Sequence, residues 1–168
     1  MKNKRRIVSL FLVFGMIFMN AFPIYANDGV ATLASWDLVD SGKHLDWDGE
    51  TNYMVQFTTA VNTWNAYKPG VIRADSWAVI EDVKISDYSG DSTTTVKISS
   101  NGTIKFNQNV MDTLSVSKKT NACLFALGSA LGLGKTGNSK DVMYKHNTSI
   151  NTLSENDESS YDEAYKKY

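Results

Sequence analysis

The stretch Phe125-Ala-Leu-Gly-Ser-Ala-Leu-Gly-Leu-Gly-Lys135 contains the signal that decides the fold, and Asp141-Val-Met-Tyr144 follows it closely. Helical spacing runs through residues 117–133, and its apolar positions are Ala122, Cys123, Leu127, Ala130 and Leu131. Gly132 and Gly134 predict where this helix ends, because glycine readily adopts the left-handed backbone conformation that terminates helices. The pattern therefore predicts an apolar helix followed by an abrupt glycine turn.

This stretch resembles the active-site helix and methionine turn of the matrixins, a family of metzincin metalloproteases. Their motif is H-E-x-x-H-x-x-G-x-x-H, with a methionine turn after it. Gly132 falls on the motif glycine, and Met143 lies eight residues beyond the third ligand position, a spacing typical of matrixins. The resemblance implies an α+β domain. Its order would be an N-terminal helix, a small mixed sheet with a hairpin, the active-site helix, the methionine turn and a C-terminal helix.

The positions that carry the family's chemistry hold other residues. Phe125, Ser129 and Lys135 stand at the three zinc-histidine positions, and Ala126 stands at the general-base glutamate. Catalytic zinc needs three protein ligands and an open position for water. A phenyl ring has no donor atom, a hydroxyl is a poor ligand, a protonated lysine repels a cation, and alanine cannot accept a proton from bound water. Zinc is the family's cofactor, but we expect no cofactor here and interpret the chain as a pseudopeptidase.

The sequence leaves several hypotheses for function open. The leading one is a non-catalytic domain that binds an extracellular peptide or protein, for instance as an added strand. An alternative is an active secreted zinc metalloendopeptidase with unorthodox ligands. A third rests on the convergence of Ser129 and Lys135 on one point, because serine with a lysine base is a known nucleophilic arrangement. The last is a structural or surface protein without a functional cleft.

Residues 1–26 have the layout of a secretory signal peptide, with four basic residues, an apolar run over 7–22 and Ala26 at the cleavage point. An uncleaved membrane anchor is the alternative. Cleavage leaves a single domain over 27–168 that we expect to be secreted, extracellular and monomeric. It removes four positive charges and no negative ones, so the formal net charge falls from −1 to −5. An acidic chain without a basic cluster argues against a nucleic-acid partner.

The rest of the chain predicts an α+β order of elements. A helix is expected over 51–67, where apolar residues recur every three or four positions before Pro69-Gly70. Strands are expected over 71–73, 78–86, 93–99 and 103–106, with a hairpin at Asn101-Gly102. A last helix should begin at Ser154, with Asp157 in the capping-box position. Residues 40–49 are interpreted as turns, and residues 27–39 as a lead-in anchored by Trp36.

Other residues with chemical potential fit simpler structural roles. His44 and His146 are the two histidines, and neither occupies a motif position. Asp46 with Asp48, and the acids of 87–91, fit no EF-hand spacing, so they are interpreted as solvated turn residues rather than calcium ligands. Cys123 is the single cysteine, which excludes an internal disulfide, and it is interpreted as a small buried hydrophobe.

Overall fold

The computed structural model of the chain describes residues 30–76, 80–91 and 93–168. Within these residues, one sheet has five strands, which are β1 (Leu45–Gly49), β2 (Ile72–Ala74), β3 (Val83–Tyr88), β4 (Val96–Ser99) and β5 (Thr103–Asn107). Four helices accompany the sheet: α1 (Met54–Tyr67), α2 (Gln108–Met111), α3 (Val116–Ala130) and α4 (Glu155–Tyr165). This part of the chain is α+β, as the sequence predicts.

The sheet is mixed, and its strand order is β2-β1-β3-β5-β4. β1 pairs in parallel with β2 and β3, β3 pairs in parallel with β5, and only β4 runs antiparallel to its neighbour. The predicted hairpin at Asn101-Gly102 joins β4 to β5, and Gly102 has a φ of +82° that favours glycine. β4 therefore forms one edge of the sheet.

Helix α1 packs on α3 through the apolar stripe that its sequence predicts. Phe57, Ala60 and Trp64 are fully buried on it. The Trp64 indole N–H donates to the Leu124 carbonyl of α3 at 3.0 Å, and its ring meets Tyr161 of α4 edge-on with centroids 5.4 Å apart. Trp64 thus ties three helices together at the centre of the core.

The two later helices also match their predicted signals. α3 starts after Ser115, whose hydroxyl accepts from the Lys118 N–H, and it ends two residues before Gly132, where φ is +84°. α4 starts after Ser154 with the predicted capping box, in which the Ser154 hydroxyl and the Asp157 carboxylate accept from each other's backbone N–H.

Two expectations for the first part of the chain are wrong. Residues 40–49 are not all turns, because Leu45–Gly49 is β1. The acidic residues and the glycine of this segment favour a turn by composition, but the segment pairs with a strand on each side. Trp36 is not the anchor of the lead-in. Leu33, Leu38 and Val39 pack on the core instead.

Some expectations concern residues outside the described ranges. The signal peptide over 1–26 lies there, as do residues 78 and 79 of the strand predicted over 78–86. Residues 80–82 of that prediction are described but are not part of a strand, and β3 begins at Val83. No helix within the described ranges is long and apolar enough to cross a membrane.

Candidate functional site

A cleft of about 280 Å³ opens between the edge of the sheet and helix α3. We call it the α3–β4 cleft. Its lining comes from four places in the chain, namely residues 93–96, which lead into β4, Asn121, Ala122 and Phe125 of α3, Lys135 after the glycine turn, and residues 144–147. Segments far apart in sequence therefore converge on one concave surface.

The structure brings two of the four motif positions into this cleft. Phe125 is half-buried in its wall, and Lys135 is exposed with its ammonium nitrogen 5.8 Å from the centre of the Phe125 ring. Ala126 is fully buried and Ser129 is 9% exposed, and neither lines the cleft. No hydrogen bond joins Ser129 to Lys135 within the described residues, so the arrangement lacks the contact on which a serine–lysine nucleophile depends.

Met143 and Gly132 set the shape of the turn around this helix. The Met143 side chain is buried beneath α3, next to Gly128. Gly132 turns the chain and packs closely against residues 36 and 37 of the lead-in. A Cβ added to Gly132 would lie 3.0 Å from the Cβ of Asp37. The two residues that the motif resemblance marks as structural are therefore both packed at the turn.

Asp157 holds the turn that contains Met143, a role that the sequence does not reveal. Its carboxylate is fully buried and accepts from the backbone N–H groups of Val142 and Met143, at 2.8 and 3.1 Å. It also accepts from the N–H and hydroxyl of Ser154. The sequence identifies Asp157 only as a helix cap, since its contacts with a preceding turn depend on tertiary packing.

Asn121 is a second residue whose role the sequence does not reveal. Its side-chain amide donates to the Ile150 carbonyl at 2.7 Å, and its side-chain oxygen accepts from the Thr148 N–H at 2.9 Å. Asn147 donates to the same oxygen at 3.3 Å. A polar residue on the apolar side of a predicted helix is the signal that could have found it. Asn121 fixes one wall of the cleft to α3.

The side chains at the motif positions do not fit the zinc ion of the matrixin family. Phe125 presents a hydrocarbon ring and Lys135 presents an ammonium group, which excludes both as ligands of a cation. Three side chains elsewhere, those of Asp40, Asp46 and Asp82 in and around β1 and β3, lie close enough together to share an ion. They are the one such group of acidic, histidine or cysteine residues within the described ranges.

That acidic group has internal partners. The Asp46 carboxylate is 2% exposed and accepts two bonds from the Arg73 guanidinium, at 2.8 and 2.7 Å. Asp82 accepts from the Asp46 N–H at 2.8 Å, and Asp40 accepts from the His44 N–H at 2.7 Å. Burial and the neighbouring acids raise the pKa of Asp82. The interpretation of Asp46 as a solvated turn residue is therefore wrong.

The other candidates take structural places. His44 lies 3.8 Å from the Asp40 carboxylate, whereas His146 packs edge-on against Tyr144 at the cleft. Asp87 accepts from the Thr51 hydroxyl and the Asn52 N–H just before α1, so it is not simply solvated. Cys123 is fully buried, and burial raises the pKa of its thiol, which makes it an unreactive core residue.

Comparison with known proteins gives no match, either among protein-family models or among curated proteins. The described residues form an α+β domain with a cleft between a helix and an edge strand.

Proposed function

We propose that the chain is a secreted matrixin-like pseudopeptidase whose α3–β4 cleft holds an extended extracellular peptide or protein segment without cutting it. The cleft itself is the observation that carries this proposal. It runs beside an edge strand, and Phe125 and Lys135 line it at two positions where the resemblance places zinc ligands. A binding surface is present, whereas the ligand set for hydrolysis is not.

The order of elements supports the resemblance. Helix α1, strands β2 to β5 with their hairpin, helix α3, a turn containing Met143 and helix α4 follow in the implied order, whereas β1 precedes α1 and the short helix α2 precedes α3. Gly132 turns the chain just after α3, with a φ of +84°, and Met143 is buried beneath that helix. Both observations agree with a domain that has kept the family's framework.

The backbone of β4 offers a way to bind an extended chain. The Asn107 N–H of β5 donates to the Thr95 carbonyl at 2.9 Å, so Thr95 faces β5. Backbone groups alternate along an antiparallel strand, so the N–H and C=O groups of Val96 and Ile98 face away from β5, and those of Lys97 face towards it. A peptide added at this edge would bond to Val96 and Ile98.

Selection of displayed random peptides on the purified protein tests the proposal. We expect enriched peptides to slow amide hydrogen exchange at Val96 and Ile98, while Lys97, whose N–H already faces β5, changes little. Methylation of alternate peptide nitrogens in a selected ligand provides the matched control, because only the set that bonds to β4 should abolish binding. Failure to enrich any peptide, or protection confined to a surface away from β4, would contradict the proposal.

Incubation of a selected peptide with the protein separates this proposal from the active-protease alternative. Mass spectrometry should recover the peptide intact. Cleavage that a chelator abolishes would instead favour a zinc endopeptidase with unorthodox ligands.

A further inference from the structure

We infer that the α3–β4 cleft selects peptides by an acidic side chain, an inference that rests on the proposed function and names its ligand class. Three side chains in the lining can carry positive charge, namely Lys135, Lys145 and His146. Among the residues that the structure describes, the lining contains no aspartate or glutamate. The whole chain has 18 acidic residues and 17 lysines and arginines, so its formal net charge is slightly negative. The charge of the cleft lining is positive by contrast.

Lys135 and Lys145 have no acidic partner among the residues that the structure describes. Within the described residues, ion pairs occupy other cations, such as Lys68 with Asp162 and Arg73 with Asp46, but neither Lys135 nor Lys145 forms one. The Lys135 ammonium has the Phe125 ring at 5.8 Å, a contact that positions the charge without neutralising it. Both ammonium groups thus keep their capacity to bind a carboxylate.

The shape of the site favours a side chain of the ligand over its terminal carboxylate. Residues 93–96 of the lining lead directly into β4, so a peptide paired with this edge continues past the cleft instead of ending in it. The cavity of about 280 Å³ is roomy enough for one side chain that leaves such a strand. A glutamate or aspartate there would form charge-assisted hydrogen bonds with Lys135 or Lys145.

A display library with amidated C-termini tests this inference, because any acid that it enriches must come from a side chain. We expect one peptide position to be enriched in glutamate or aspartate. Replacing that acid with its amide should weaken binding about two- to fivefold, the range expected for an exposed ion pair. The loss should shrink in high salt.

Charge reversal supplies the controls. At least one of the variants Lys135→Glu and Lys145→Glu should lose the acid preference, and a peptide with lysine at that position should bind this variant better than it binds the original protein. Lys140→Glu makes the same charge change at an exposed residue outside the lining, so the preference should persist. Thermal unfolding of each variant checks that it is folded.

Each result bears on the inference or on the proposed function. An acid preference lost in the Lys135 or Lys145 variants supports the inference. Enriched peptides without an acid preference, or with one that survives both reversals, overturn it and leave peptide binding intact. Binding only to peptides with a free C-terminus also overturns it. A matched library with free C-termini is selected in parallel, and the absence of any enriched peptide from both libraries overturns both proposals.

Discussion

The Met143 thioether lies directly against the backbone of Gly128, so that a Cβ added to this glycine would stand 2.4 Å from the Met143 sulfur. The same Cβ would stand 2.8 Å from Cζ2 of Trp64. Helix α3 therefore needs the smallest residue at Gly128, because the turn and α1 both approach the helix there.

Gly128→Ala should destabilise the protein by about 1–3 kcal/mol, the usual cost of overpacking a core. Met143 has a flexible side chain that can shift, but Trp64 is held by its hydrogen bond to Leu124. The gain in helix propensity of about 1 kcal/mol should not offset this cost. Urea unfolding measures the difference. Gly137→Ala is the control, because an added Cβ there meets nothing within 4 Å; equal stabilities for both variants would refute the packing argument.

Arg73→Ala should destabilise the protein by about 2–3 kcal/mol, because it leaves the buried Asp46 carboxylate without its partner. Partial exposure of Arg73 keeps the cost below that of a fully buried pair. Adding Asp46→Asn should recover part of the loss, since it removes the unpaired charge. Chemical denaturation of the single and double variants measures both effects. If Arg73→Ala is as stable as the original protein, the Asp46 carboxylate is solvated well enough to need no ion-pair partner.

Asp162→Asn should lower stability near neutral pH, with a difference that fades in acid. Burial raises the pKa of Asp162, but hydrogen bonds from Lys68 and Tyr67 outweigh it and hold the pKa below its ordinary value. A carboxyl with a lowered folded pKa stabilises the protein above its unfolded pKa, and this contribution disappears as the pH falls through the folded value.

Melting temperatures of the Asp162 variant between pH 7 and pH 2 test this dependence. The side chain is 42% exposed, so the loss at neutral pH should be only about 0.5–1 kcal/mol. Glu163→Gln is the control, because it removes a neighbouring acid whose partner Lys166 is more exposed than Lys68, the partner of Asp162. This variant should change stability little. A loss at Asp162 that stays constant down to pH 2 would rule out the ionic contribution.

Four substitutions together, Phe125→His, Ala126→Glu, Ser129→His and Lys135→His, should create zinc binding. This expectation rests on the proposed resemblance, in which Gly132 and Met143, both packed at the turn, bring the three ligand positions together. The variant should be less stable without zinc, because a packed ring is lost and the fully buried Ala126 site receives a carboxylate. Calorimetric titration with zinc measures the gain; a folded variant that takes up no zinc would contradict the motif alignment.

The sequence predicts the helices better than the sheet. Spacing within one segment and end signals such as Pro69 or Ser154 are local, and they place α1 and α4 within a few residues. The parallel pairing of β1 with β2 and β3 depends on residues far apart in the chain. β1 is missed because Asp46 suggests a turn until its Arg73 partner is known.

The cleft shows the same limit. Phe125 and Lys135 can be identified from motif spacing alone, but the approach of residues 144–147 to α3 depends on contacts such as that of Asn121 with Thr148. The buried carboxylate of Asp157, which holds the Met143 turn, likewise acts across a tertiary contact.

The zinc content of the purified protein, measured by elemental mass spectrometry after expression in zinc-supplemented medium, tests the central claim most directly. Phe125 and Lys135 cannot act as ligands, so we predict far less than one zinc per chain and a melting temperature that a chelator leaves unchanged. Close to one zinc per chain, released by a chelator together with a fall in melting temperature, would contradict the pseudopeptidase account.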